Sequence, residues 1–180
     1  GTGIAAHALD EWRGRPLRTR LSDGALLTLG LGGFAAALGV AVAGSFVISP
    51  WVFAWAVPGI LLAAGYVLEW HHRLHSNLGF AMTWGAFPVL VGYWAQAETI
   101  AGTAVAMGAA VTVLSLAQRA LSTPARFVRR SAVDASVTLD VDGGDETWDR
   151  DRLLATWEWP LKLLTATVVL LAISLLAIRV

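Results

Sequence analysis

Residues 24–68, GALLTLGLGGFAAALGVAVAGSFVISPWVFAWAVPGILLAAGYVL, contain no charged side chain. A helix rises about 1.5 Å per residue and a bilayer core is about 30 Å thick, so roughly 20 residues make one crossing. The stretch is therefore long enough for two crossings. The break between them belongs near Ser45–Pro50, because Ser49-Pro50 disfavours a continuing helix. That gives spans at about 24–45 and 50–69. Pro58 has apolar sequence on both sides and reads as a kink rather than a stop.

Further apolar runs follow at about 78–96, with Pro88 as a second kink, and at 99–117 after a tight turn near Glu98. A fifth occupies 160–180, with its apolar part from Pro160 to Ile178. Ionised side chains at a helix centre cost about 2.5–3.5 kcal/mol each on insertion scales, and the centres of these runs lack them. The expected fold class is an all-α polytopic membrane protein of about five transmembrane helices with a small cytoplasmic β-hairpin insertion. Composition agrees, with 56% hydrophobic and 14% charged residues and a mean hydropathy of +0.62. The absence of cysteine excludes disulfides and thiolate metal sites. Zero net charge says little, because the charges are segregated along the chain; no nucleic-acid partner is expected, and the lipid bilayer is the first partner implied. The wealth of Arg, Ala, Gly and Leu, with Lys162 the one lysine, suits a GC-rich bacterial genome and hence an inner membrane. Gly1–Ile4 reads as the middle of a longer chain.

Arginine placement sets the orientation. Arg13, Arg15, Arg18 and Arg20 precede the first span, and Arg73 lies between the second and third. Arg119, Arg126, Arg129, Arg130, Arg150 and Arg152 lie between the fourth and fifth, while the turns near Ser49 and Glu98 have none. The positive-inside rule makes 1–23, 70–77 and 119–159 cytoplasmic and places the C-terminus outside, with Arg179 as a minor exception. Gly30, Gly32 and Gly33 in the first span, and Gly102 and Gly108 in the fourth, suit close helix packing in lipid.

Within 119–159, Arg126–Arg130 is a basic juxtamembrane patch, read as an orientation signal or a lipid-headgroup contact. Val133, Ala135, Val137, Leu139 and Val141 then alternate with polar residues, which is strand periodicity. Asp142-Gly143-Gly144-Asp145 reads as a turn and 146–150 as the returning strand. An acidic turn accounts for Asp140, Asp142 and Asp145 better than a calcium loop does, because Gly144 occupies a ligand position and the distal Glu is missing. Asp151–Trp159 leads back to the membrane, with Trp157 and Trp159 at interfacial depth.

Two polar segments could carry chemistry. In Glu69–His75, EWHHRLH, the spacing of His71, His72 and His75 can hold a metal on a helix, although a polar span end with interfacial histidines is the favoured reading. The second segment precedes the first span. Its Asp10 and Glu11 could hold Mg²⁺ while Arg15, Arg18 and Arg20 grip phosphate oxygens, the usual division of labour for a diphosphate. Arginines that merely set topology are the alternative.

Residues 5–27, AAHALDEWRGRPLRTRLSDGALL, resemble the loop after the second helix of the UbiA superfamily of intramembrane prenyltransferases. Ala6, His7 and Asp10 fall on that family's Asn-Asp-x-x-Asp positions, and Arg15-Pro16-Leu17 falls on its Arg-Pro-Leu. Tyr66, Asn77-Leu78-Gly79 and the Gly85–Pro88–Gly92-Tyr93 run are similar to its fourth and fifth helices. Trp70 stands where a basic residue follows Tyr66 in the family, and Ala120–Arg130 where a second Asp-rich motif begins. The resemblance covers about 1–118 and implies a prenyltransferase that moves a prenyl group from a prenyl diphosphate to an acceptor. It implies Asp10 and Glu11 as catalytic residues on Mg²⁺, with Arg15, Arg18, Arg20, Tyr66 and Arg73 on the diphosphate. On this reading 1–118 is a UbiA-like membrane region with a polar N-terminal loop over 1–23. The alternative is a non-catalytic membrane subunit that engages a protein partner through 119–159.

Overall fold

A computed structural model describes residues 1–178; Arg179, the expected basic residue beyond the last span, lies outside the described residues. Helices make up 75% of the structure. Four are long and apolar enough to cross a membrane: Asp23–Val47, Asn77–Ala97, Gly102–Arg130 and Arg150–Ala177. The other expected span is a shorter apolar helix of 16 residues, Val52–Val67, or about 24 Å of helix. The chain forms two compact units, Gly1–Ser115 and Leu116–Val180.

The first unit begins with a correction. The segment expected as a polar loop over 1–23 is helical through α1 (Thr2–Gly14). It lies antiparallel along the first half of α2 (Asp23–Val47). Small residues permit the approach: a Cβ on Gly33 would stand 2.9 Å from the Ala5 nitrogen, and one on Gly30 would stand 2.8 Å from Leu9. Ala5, Ala6, Ala8 and Leu9 are buried there. The run of arginines disguised an apolar face one turn upstream. Gly14 and Pro16 end α1, with Arg15 in the left-handed region (φ 48°) as the cap. Ser22 opens α2 by accepting from the Ala25 amide at 3.2 Å.

The break near Ser49-Pro50 is present, and α3 (Val52–Val67) runs through Pro58. Ala6, Leu9 and Val67 share a core with Leu27, Phe34, Tyr66 and Trp84. The next span comprises α4 (Asn77–Ala81), a π-helical turn (Met82–Ala86) and α5 (Phe87–Ala97). The wide turn directly precedes Pro88, whose ring would clash with the carbonyl four residues back in a regular helix. Glu98 (φ 50°) supplies the tight turn before α6 (Gly102–Arg130).

In the second unit α6 continues as helix to Arg130, beyond the expected end at 117, and burial of Ala125 and Val128 explains why. Strands β1 (Val137–Val141) and β2 (Gly144–Trp148) form the expected hairpin, with Asp140 opposite Asp145 and Gly143 and Gly144 at positive φ. Helix α7 (Arg150–Ile178) starts well before Pro160, because Asp149 caps it through the Arg152 amide at 2.9 Å.

Candidate functional site

The polar groups of the first unit gather where α1 ends and α3 turns into α4. Glu11 is 2% exposed, yet it is a carboxylate. Its oxygens accept the amides of Leu17 (2.8 Å) and Thr19 (2.7 Å) and the Thr19 hydroxyl (3.0 Å). These bonds fold the 15–22 turn back over the helix end. Burial alone would raise the pKa of Glu11; the two amides, the hydroxyl and the Arg15 charge outweigh it and hold the group below its ordinary value. Arg15 braces the other side of the turn, donating to the Leu21 carbonyl at 2.7 Å and to the Asp23 carboxylate.

Arg13 reaches from α1 to the end of α3, donating to the Leu68 carbonyl and pairing with Glu69 at 3.5 Å. Glu69, at φ 53°, also faces His75 at 3.6 Å. The His75 ring stacks on Tyr66 with centroids 4.9 Å apart, and its Nδ1 lies 2.9 Å from the Tyr66 carbonyl. Trp84 meets the Tyr66 ring edge-on at 6.5 Å. Arg13, Glu69, His75 and Tyr66 thus join the two polar segments into one cluster.

Beside it an apolar cleft of about 520 Å³ follows α3, bounded among others by Ala41, Trp55, Ala63, Thr83, Trp84 and Phe87. It spans Val52 to Ala63, roughly 16 Å of helix. Trp84 belongs to both the cleft wall and the aromatic group on Tyr66.

The expected site residues therefore divide. Asp10, Arg18, Arg20 and Arg73 are exposed, and Tyr66 lies within the cluster. Glu11 and Arg15 are committed to holding the 15–22 turn. Magnesium of the kind the resemblance implies would find the Asp10 carboxylate, but the Glu11 oxygens are already filled by Leu17 and Thr19 and Asp23 is paired with Arg15. The donor set does not fit a paired-carboxylate Mg²⁺ site. The histidines do not converge either. His71 accepts from the Arg73 amide at 3.2 Å and lies beside the His72 ring, while His75 turns to Tyr66 and Glu69. Among the described residues no three His, Asp or Glu side chains are grouped as metal ligands.

No family model, curated protein or solved structure matches this chain. Sequence reasoning missed Arg13 as the link to α3 and Glu11 as the clamp. A signal existed: a carboxylate one turn before Gly-x-Pro stands where an ending helix and a tight turn leave amides in need of acceptors.

Proposed function

We propose that this chain is a UbiA-like multi-pass protein of the cell membrane that binds a prenyl diphosphate. The isoprenoid tail lies in the cleft along α3, and the diphosphate lies beyond its Trp84 end, with Arg18, Arg20 and Arg73 as its contacts. The observation that carries this reading is the apolar cleft ending at Trp84, beside Tyr66 and the charged cluster. A long apolar body with an anionic head matches that order of surfaces. The membrane reading rests on exposed apolar helix. Leu170, Leu171, Ile173, Leu175 and Leu176 on α7 are all more than half exposed. In water each would forgo about 1.5–3 kcal/mol of burial. Sidedness follows the arginines, with the turns at 14–22 and 70–77 and the segment 119–159 cytoplasmic.

Binding is the part of the family reaction that the cleft and arginines support. Transfer of the prenyl group to an acceptor needs an acid pair that Glu11, held by Leu17 and Thr19, leaves incomplete. The test uses full chain in lipid nanodiscs and tritiated farnesyl diphosphate. Loss of either Arg18 or Arg20 to Ala is expected to weaken binding about tenfold, the scale of one charge-assisted hydrogen bond. Ala63→Trp, which fills the cleft, is expected to abolish it. Absence of saturable binding by the unaltered chain ends the proposal.

A non-catalytic subunit is the second reading, favoured by Val133, Val137 and Val141, which are exposed on and beside the hairpin. A stoichiometric partner that copurifies, and is lost when 131–150 is deleted, supports it.

A further inference from the structure

The second unit holds a cleft that the prenyl diphosphate reading does not use. It measures about 410 Å³ and opens between the last two turns of α6 and the middle of α7. Arg126, Arg129 and Arg130 enter it from α6, and Lys162, Glu158 and Leu161 from α7. Four cations thus face one carboxylate, and Glu158 is paired with Arg129. Arg150 is not among them: it donates to the carbonyls of Val128 (3.4 Å) and Arg129 (3.1 Å) at the end of α6.

The position of the cleft is as informative as its charge. On α7 no charged residue follows Lys162 among the described residues, and most side chains beyond it are apolar and exposed. On α6 the charge-free run ends just before Arg119. The cleft therefore lies where apolar helix surface gives way to charged surface, the depth at which phospholipid headgroups sit. Trp159 and Phe127, both more than 60% exposed, flank that level, as aromatic side chains do at a membrane boundary. A floor of Ala125 and Leu161 beneath a rim of guanidinium and ammonium groups suits a phosphodiester whose acyl chains continue along α7.

We infer that the α6–α7 cleft is a binding site for the phosphate of an anionic phospholipid, with Arg126, Arg130 and Lys162 as its cationic contacts. Arg129 and Glu158 form the pair that bounds it. The inference needs the membrane reading and is independent of prenyl diphosphate binding.

The test is the lipid shell retained by the full chain extracted from vesicles of equal phosphatidylglycerol and phosphatidylcholine, measured by mass spectrometry. The unaltered chain is expected to retain phosphatidylglycerol in preference. Arg126→Gln, Arg130→Gln and Lys162→Gln together should lower that preference about tenfold or more, since each basic residue near an anionic surface contributes roughly fivefold. Glu158→Gln should raise it, an outcome that misfolding cannot imitate. Excess inorganic phosphate should leave the retained lipid unchanged; displacement by phosphate would assign the cleft to a soluble anion and overturn the lipid source. Equal retention of the two lipids by the unaltered chain, or an unaltered preference in the triple variant, overturns the site. Failure to float with pure phosphatidylcholine vesicles would instead remove the membrane reading itself, and the site with it.

Discussion

Glu11 and Glu146 are both carboxylates beside arginine-bearing segments, and their surroundings give them unequal weight. Glu11 is buried and accepts three hydrogen bonds from the 15–22 turn. Glu146 stands on the hairpin, about two-fifths exposed, with Arg152 at 2.5 Å and half exposed. Water and salt can replace the second interaction and cannot reach the first. The α1 end is therefore a fixed platform built around one acid. The hairpin depends on strand register, the Thr138–Thr147 contact at 3.2 Å and the Arg152–Trp148 stack instead.

The strongest break of this contrast is Glu11→Ala. It leaves the Leu17 and Thr19 amides without acceptors and should give the largest fall in thermal stability in detergent of the four changes considered. Hydrogen exchange should quicken at those two amides and stay unchanged in β1 and β2; unchanged exchange at Leu17 and Thr19 refutes the clamp. Gly33→Val comes next. Its side chain must displace the Ala5 backbone, and lifting α1 from α2 is expected to cost about 1–3 kcal/mol by thermal unfolding. Acid sharpens the contrast further. Because the folded pKa of Glu11 is below its ordinary 4.5, its contribution is complete above that value and is lost as pH falls below it toward the folded value. Protection of the 15–22 turn should therefore decline below about pH 4.5, and Glu11→Gln should abolish that dependence. Glu146→Gln is the smallest change. It should cost about 0.2–1 kcal/mol and fade with added salt, because the pair is exposed.

The hairpin was legible because alternation with Gly143-Gly144 at its centre is a local signal, and positive φ there needs no distant partner. The spans were legible for the same kind of reason: charge-free length is set by the sequence alone. Pro88 marked the place of a helix irregularity but not its form as a π-helical turn. The 1–23 segment misled because its arginines suggested solvent, while Ala5, Ala6, Ala8 and Leu9 occupy one helical face whose partner, α2, only folding supplies. Asp10, Arg18, Arg20 and Tyr66 could be named as candidates from pattern. Which acids and arginines hold the 15–22 turn could not, since that depends on the amides brought to Glu11 and the acceptors brought to Arg15.

By itself the sequence determined where apolar helices run, where charges interrupt them and where the hairpin turns, since each follows from local composition and backbone preference. Tertiary structure alone decided that α1 lies along α2, that Arg13 ties it to Leu68 and Glu69, and that Glu11 is filled by the chain's own amides. Those facts rest on contacts between residues far apart in sequence, where burial replaces water and fixes which partner each charge keeps.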